Sequence, residues 1–217
     1  MQDTAARRVN MVNSQILTNR VSDERITEAM LAVPRETFVP KAWRGAAYVD
    51  EDIPLGNGRY LMEPMVFARL LQAAEIDERT VVLDVASGAG YSAAVLARLA
   101  GTVVALEDDD ERVRVIEERL SALGIDNAAV VKAGLKDGYP AQAPFDVIFV
   151  NGAVEVMPDA LKEQLAEGGR LLAVERSGPV GRAVLYTRIA GLVGRRELFD
   201  AQLPVLPGFE KPAAFTF

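Results

Sequence analysis

The residues with the clearest chemical potential lie around one glycine-containing turn. Residues 81–91 run Val-Val-Leu-Asp-Val-Ala-Ser-Gly-Ala-Gly-Tyr, a pattern typical of a buried strand, a turn and the start of a helix. Gly88 and Gly90 would let the backbone of this turn approach a ligand closely, and the helix would offer free amide groups. An acid, Asp84, precedes the turn, and a second acid, Glu107, ends the next predicted strand. These two carboxylates and the turn between them form the candidate binding site.

The two acids indicate which ligand such a turn would hold. A carboxylate at the position of Glu107 can accept hydrogen bonds from both hydroxyls of a ribose. Asp84 would repel a pyrophosphate but can pair with a cationic amino acid group, and the turn lacks a full Gly-x-Gly-x-x-Gly pattern. Both features favour S-adenosylmethionine over a dinucleotide such as NAD. Two simpler interpretations stay open: a tight turn with solvated acids, and a helix-capping acidic cluster at Glu107 and the three aspartates that follow it.

Composition limits the chemistry available to this site. The 217 residues include no Cys and no His, which excludes disulfides, thiolate catalysis, imidazole triads and zinc sites with those ligands. We therefore predict no metal site. A sulfonium cofactor needs none of these groups, because its methyl group is already electrophilic and a carboxylate acceptor is ionised at pH 7.

Charge and hydropathy restrict the partners and the location. The formal net charge is −7, without a long basic run, which argues against nucleic acid as the main partner. No apolar run approaches the roughly 18 residues needed to span a membrane, and no signal peptide is visible. We expect a cytoplasmic protein without a membrane partner, either a monomer or a homodimer.

The elements that must position the acids follow an alternating pattern. Residues up to about 63 indicate two amphipathic helices and a loop-rich stretch, and a third helix begins at Pro64. A helix is also predicted from Pro158 to Glu167, ended by Gly168 and Gly169. The predicted strands are Val81–Val85, Thr102–Leu106, Ala128–Val131, Phe145–Val150, Arg170–Val174, Ala183–Ile189 and Ala213–Phe217. Short apolar strands that alternate with helices predict a parallel sheet with both faces covered.

These elements predict an α/β protein with the Rossmann-like fold of S-adenosylmethionine-dependent methyltransferases and an N-terminal helical extension. We expect one domain over residues 1–217. Helices and a substrate-side loop would occupy residues 1–63, and the Rossmann-like core residues 64–217.

An ordered set of local motifs resembles a known family. The most specific is Val-Pro-Arg-Glu-Thr-Phe-Val-Pro at residues 33–40, and others are the Gly-Tyr pair at 90–91, Ala-Pro-Phe-Asp at 143–146 and Gly-Gly-Arg-Leu at 168–171. Over most of residues 7–175 the chain resembles the protein-L-isoaspartate O-methyltransferases. The resemblance implies S-adenosylmethionine as cofactor, isoaspartyl-containing proteins or peptides as substrate, and a role in protein repair.

The chain departs from the family in the substrate-side loop. The family usually carries Gly-x-Gly-Gln-Thr-Ile-Ser-x-Pro, and this chain has Gly-Asn-Gly-Arg-Tyr-Leu-Met-Glu-Pro at residues 56–64. Arg59, Tyr60 and Met62 therefore stand at the candidate catalytic positions. Met62 replaces the Ser that the resemblance puts opposite the reacting carboxylate, and a thioether cannot donate a hydrogen bond. Arg59 could bind a carboxylate substrate in bidentate fashion, or lie on the surface.

The cofactor side differs as well. Ala86 replaces the first Gly of the turn, which is tolerable if its φ is negative and costly otherwise. Gly134 and Leu135 stand where the family has an adenine-side acid, and Asn151 replaces a frequent Thr. The predicted cofactor-binding residues are Asp84, Ala86, Ser87, Gly88, Gly90, Glu107, Gly134, Leu135 and Asn151. The departures leave three interpretations: isoaspartyl methylation, methylation of another acceptor, and a catalytically silent binding or sensor protein.

Overall fold

The computed structural model describes residues 3–178 and 180–212 and contains nine strands over that part of the chain. They are β1 (Ile53–Gly56), β2 (Arg59–Leu61), β3 (Val81–Val85), β4 (Thr102–Glu107), β5 (Ala128–Lys132), β6 (Phe145–Val154), β7 (Leu165–Glu175), β8 (Arg182–Ile189) and β9 (Leu192–Asp200). The α-helices are α1 (Thr4–Met11), α2 (Glu24–Ala32), α3 (Pro64–Ala74), α4 (Tyr91–Leu96), α5 (Asp110–Ala122) and α6 (Asp159–Glu163). None of these helices is long and apolar enough to cross a membrane.

Seven of the strands form one sheet in the order β5-β4-β3-β6-β7-β8-β9. The five strands from β5 to β7 in this order are parallel, as the alternation of strands and helices predicts, and β8 and β9 add antiparallel. Since β3 lies between β4 and β6, the carboxyl ends of these three strands meet at one edge. This edge is where open α/β sheets bind their ligands.

Two apolar cores lie on opposite faces of the sheet. Along β3, Val82 belongs to the core that α2, α3 and α4 cover, and Leu83 belongs to the core that contacts α6. The alternation follows from the two-residue repeat of a strand. Asp84 is on the Val82 side and has no exposed surface.

Several predicted boundaries are wrong. The helix predicted from Pro158 to Glu167 ends at Glu163, because Leu165 already pairs with Phe145 in the sheet. The loop-rich stretch expected before residue 63 contains β1, which pairs with β2 in a separate hairpin. The sheet also gains β9, which the sequence analysis did not predict. The strand predicted at residues 213–217 lies outside the described residues.

One buried arginine ties the N-terminal extension to the core. Arg35, from the most family-like motif, has no exposed surface; its Nε donates to the Ala47 carbonyl at 2.8 Å and its Nη2 to the Met62 carbonyl at 2.6 Å. The guanidinium also lies 4.9 Å from the centre of the Tyr91 ring. Burial lowers the pKa of Arg35, but an arginine remains charged at neutral pH. The residue thus joins residues 47 and 62 to the first residue of α4.

Replacement of this arginine tests how much the extension depends on it. The Arg35→Ala variant leaves two buried carbonyls without their charged donor and opens a cavity, so we expect a loss of roughly 3–5 kcal/mol in the free energy of unfolding. Chemical denaturation measures the loss. The exposed Arg79→Ala is the control and should stay within about 0.5 kcal/mol of the parent chain. An Arg35→Ala protein as stable as this control would contradict the assigned role.

Candidate functional site

Asp84 lies at the centre of a buried hydrogen-bond network. Its Oδ2 accepts from the Ser87 hydroxyl at 2.5 Å and the Ser92 hydroxyl at 2.7 Å, and its Oδ1 accepts from Nδ2 of Asn151 at 2.7 Å. Burial raises the pKa of Asp84 to about 6, although the three donors act in the opposite direction. The network links β3, the turn, α4 and β6. It thus joins three predicted site residues, Asp84, Ser87 and Asn151.

Glu107 ends β4 beside the same turn and is fully buried. Its Oε1 accepts from the Gly88 amide at 2.7 Å. Glu107 therefore lies against the turn and is not part of a solvated acidic cluster, while its role in binding stays a prediction. Asp109, from the same acidic run, does cap a helix: it caps α5 by accepting from the Arg112 amide at 2.9 Å.

The turn between the acids has a left-handed backbone at three positions. Gly88 and Gly90 have φ values of 64° and 90°, and Ala86 has a φ of 58°. Ala86 is therefore in the conformation expected to be costly, which for an L-residue is about 1–2 kcal/mol. Hydrogen bonds hold the turn in place: the Ala86 amide donates to the Leu106 carbonyl at 3.0 Å, and Gly90 to Ser87 at 2.9 Å.

Arg59 occupies a position that the sequence analysis did not predict. It has only 4% of its surface exposed, so it is not a surface residue, and its guanidinium is paired with acids of the chain itself. Its Nη2 lies 3.1 Å from Glu107 Oε2 and 2.7 Å from Asp108 Oδ1, and its Nε lies 3.1 Å from Glu107 Oε1. Burial alone would lower the pKa of Arg59, but the hydrogen bond and charge of Glu107 raise it.

The other two loop candidates lie beside the turn. Tyr60 and Met62 line a cavity of about 10 Å³ together with Ser87 and Asn151. Met62 is buried, so its side chain packs beneath the loop. Tyr60 is half-buried and is the only one of these two side chains that carries a hydroxyl group.

The adenine-side candidates are split between surface and core. Leu135 is buried and packs in the same core as Ala86 and Leu206. Gly134 is exposed, and the side chain of Asp137 lies directly over it. Neither Gly134 nor Asp137 belongs to the two buried networks around Asp84 and Glu107.

An acidic run near the loop has a structural role that the sequence analysis did not assign. Asp52 accepts from the Glu63 amide at 2.9 Å and Asp50 from the Met65 amide at 3.2 Å, so both cap the start of α3. Burial raises the pKa of Asp52 to about 6, and burial with the charge of Asp52 raises the pKa of Glu63 to about 7. The Pro at residue 64 was the available signal for this helix start.

The parallel sheet, the glycine turn and the two strand-end acids define the class of S-adenosylmethionine-dependent methyltransferases with the Rossmann-like fold. The sequence profile of the protein-L-isoaspartate(D-aspartate) O-methyltransferases matches residues 6–189. The chain belongs to this family.

Relatives and solved structures agree with this assignment. A protein-L-isoaspartate O-methyltransferase 2 from an Anaeromyxobacter species is 42% identical over 92% of this chain and 82% of its own length. A protein-L-isoaspartate O-methyltransferase from Koribacter versatilis is 36% identical over 93% of this chain and 90% of its own.

Among solved structures, a protein-L-isoaspartate O-methyltransferase superposes with a TM-score of 0.80 at 25% identity, over 93% of this chain and 66% of the other. A putative family member from Plasmodium falciparum, in complex with S-adenosyl-L-homocysteine, gives a TM-score of 0.77 at 20% identity over 95% of this chain and 99% of the other. The predicted family, its fold and its dependence on S-adenosylmethionine are confirmed.

The raised pKa of Glu63 predicts an unusual dependence of stability on pH. Since the pKa in the folded chain, about 7, lies above the ordinary value of 4.5, the folded chain holds an extra proton between these values. The stability that Glu63 contributes is thus complete below pH 4.5 and is lost as the pH rises through about 7. Glu63→Gln should remove this loss and raise the free energy of unfolding at pH 8 by on the order of 1 kcal/mol, allowing for solvent screening.

Chemical denaturation at pH 5.5 and pH 8 measures this effect. The control is Glu78→Gln, which removes an exposed acid outside this run and should change both values by less than about 0.5 kcal/mol. A Glu63→Gln gain that is equal at both pH values would show that burial of the carboxyl is not its cause.

Proposed function

We propose that this chain transfers a methyl group from S-adenosylmethionine to the carboxylate of isoaspartyl residues in proteins and peptides. One observation carries the proposal: Asp84, the glycine turn and Glu107 adjoin one another at the carboxyl edge of the sheet of a family member. The activity corresponds to a repair reaction on damaged aspartyl or asparaginyl sites.

The residues proposed to hold the cofactor have suitable chemistry. Glu107 supplies acceptors for ribose hydroxyls, Gly88 and Gly90 allow a close backbone approach, and Asp84 supplies negative charge near the amino acid portion. The full proposed set is Asp84, Ala86, Ser87, Gly88, Gly90, Glu107, Gly134, Leu135 and Asn151. When bound, S-adenosylmethionine supplies an electrophilic methyl group, so the chain's own task is to orient an ionised carboxylate and exclude water.

On the substrate side we assign the positioning role to Tyr60. Its phenol can donate a hydrogen bond to an acceptor carboxylate, whereas Met62 has no donor and Arg59 is engaged by Glu107. The proximity of Tyr60 to Ser87 and Asn151 supports this assignment.

We further propose a single domain over residues 1–217, with the division at residues 63 and 64. The continuous core that joins Met11, Met30 and Phe67 to Phe149 supports one domain. A cytoplasmic location, a monomeric or homodimeric state and no nucleic acid partner stay predictions from composition. Sedimentation analysis of the purified chain would test the oligomeric state.

A second candidate is a catalytically silent member that uses the fold for binding. It is favoured by the closed space between Tyr60 and the turn, about 10 Å³, and by Met62 at the family's Ser position. Turnover of any carboxylate acceptor would exclude this candidate.

An activity assay tests the main proposal. The chain, incubated with methyl-labelled S-adenosylmethionine and a peptide containing one isoaspartyl residue, should form a methyl ester that releases methanol in mild base. The same peptide with normal aspartate is the matched control, and we expect at least tenfold less product from it. Equal labelling of both peptides would point to another acceptor. No labelling, beside an active family member, would support the silent candidate.

A further inference from the structure

All hydrogen-bond positions of the Glu107 carboxylate are already used within the chain. Oε1 accepts from the Gly88 amide at 2.7 Å and from Arg59 Nε at 3.1 Å. Oε2 accepts from Arg59 Nη2 at 3.1 Å and from the Asp108 amide at 3.3 Å. Two carboxylate oxygens offer about four acceptor sites. Two ribose hydroxyls can therefore bind Glu107 only if donors now present leave it.

Arg59 is the donor that can leave. The Gly88 and Asp108 amides are backbone groups fixed by the turn and by the residue next to Glu107 itself. Arg59 belongs to the hairpin of β1 and β2, which in the described part of the chain pair only with each other. Its second acceptor, Asp108 Oδ1 at 2.7 Å, is on a side chain that is 50% exposed. Arg59 can thus move outward and still keep a charged partner.

The hairpin that carries Arg59 also closes the space over the turn. Leu55 of β1 packs so close to Gly88 that a Cβ on this glycine would lie 3.0 Å from its Cδ1. The cavity enclosed by Tyr60, Met62 and Ser87 has the room of about one water molecule. Pro207, from the segment that follows β9, packs against Gly58 at the tip of the hairpin. A nucleoside-sized ligand between Glu107 and Tyr60 does not fit unless this hairpin moves.

We propose that Arg59 is an internal competitor for the cofactor's place on Glu107 and thereby sets cofactor affinity. The chain alone is closed by the Arg59–Glu107 ion pair, and cofactor binding transfers Arg59 from Glu107 towards Asp108. This inference rests on the proposed function, because it takes Glu107 as the acceptor for the ribose hydroxyls. It assigns Arg59 a positioning role, not a catalytic one.

Calorimetric titration with S-adenosylhomocysteine tests the competition without any turnover. Arg59→Gln introduces the residue that the family usually carries and removes the charge from Glu107, and its Kd should be at least tenfold below that of the parent chain. Arg59→Lys keeps a charge beside Glu107 but loses the two-pronged contact, so we expect an intermediate Kd. If the Arg59→Gln protein does not fold, the test is the Kd of Arg59→Lys compared with that of the parent chain.

The control variant is Arg112→Gln. Arg112 also holds the hairpin, since its Nη2 donates to the Gly56 carbonyl at 2.7 Å, but it makes no contact with Glu107. The same change of charge at Arg112 should leave the Kd within about twofold of the parent value. Tighter binding by Arg112→Gln, equal to that of Arg59→Gln, would assign the effect to a loosened hairpin and overturn the competition.

The outcomes separate this inference from the proposed function. Equal Kd values for the parent chain and both Arg59 variants overturn the competition, while methylation of isoaspartyl peptide by the parent chain would leave the function intact. Tighter binding by the Arg59 variants supports the competition even when no peptide is methylated, in which case the proposed substrate fails. No binding by any folded Arg59 variant overturns the competition, because release of Glu107 would then not create a site.

Discussion

A carboxylate sealed from water must have its charge and its hydrogen bonds satisfied by the chain, and Glu107 imposes this constraint on the whole site. An unpaired buried charge costs several kcal/mol, whereas a well-bonded pair offsets most of that cost. Glu107 meets the constraint with the Gly88 amide and the Arg59 guanidinium. Because Glu107 lies at the end of β4, its bond to Gly88 fixes the path of the turn, and its bond to Arg59 fixes the position of the hairpin. The turn and the hairpin together shield this one carboxylate from water.

Asp84, the second buried acid of the site, is compensated by different groups. Asp84 has no cationic partner within its hydrogen-bond network; its three side-chain partners are Ser87, Ser92 and Asn151, which are neutral. Neutral donors compensate burial less than a guanidinium does, and burial raises the pKa of Asp84 to about 6. No guanidinium or ammonium group lies among the side-chain partners of this carboxylate. A cationic group brought near it would gain more than it could from Glu107, whose charge Arg59 already balances. The two acids are thus suited to different portions of one ligand.

Local patterns predicted most of the core, and long-range pairing accounts for the rest. The strand, turn and helix from Val81 to Leu96 follow from hydrophobic runs and glycines, and parallel strands then bring Asp84 and Glu107 to one edge. The Arg59–Glu107 pair joins residues 48 positions apart, and neither residue carries a local signal for the other. The strand β9 is an edge strand with no fully buried residue, so its sequence lacks the apolar alternation that reveals a strand. Helix α6 is short because Leu165 pairs with Phe145 in the sheet, and the Gln164 side chain beside it bonds Asp137 and Tyr139; the sequence carries no local signal for these contacts.

The residues that differ from the family pattern change how the site closes, and the backbone around them keeps its path. Ala86 shows this most directly, since its φ of 58° is the conformation that a glycine would adopt without strain. The turn keeps its shape with alanine because the bonds from Ala86 to Leu106 and from Gly88 to Glu107 hold it. A turn held by these bonds needs the Glu107 carboxylate in place, and a buried carboxylate needs hydrogen-bond partners. Without a ligand, Arg59 of the hairpin is one such partner. The bonds of Glu107 therefore account both for the stability of the turn and for the position of Arg59 in the cleft.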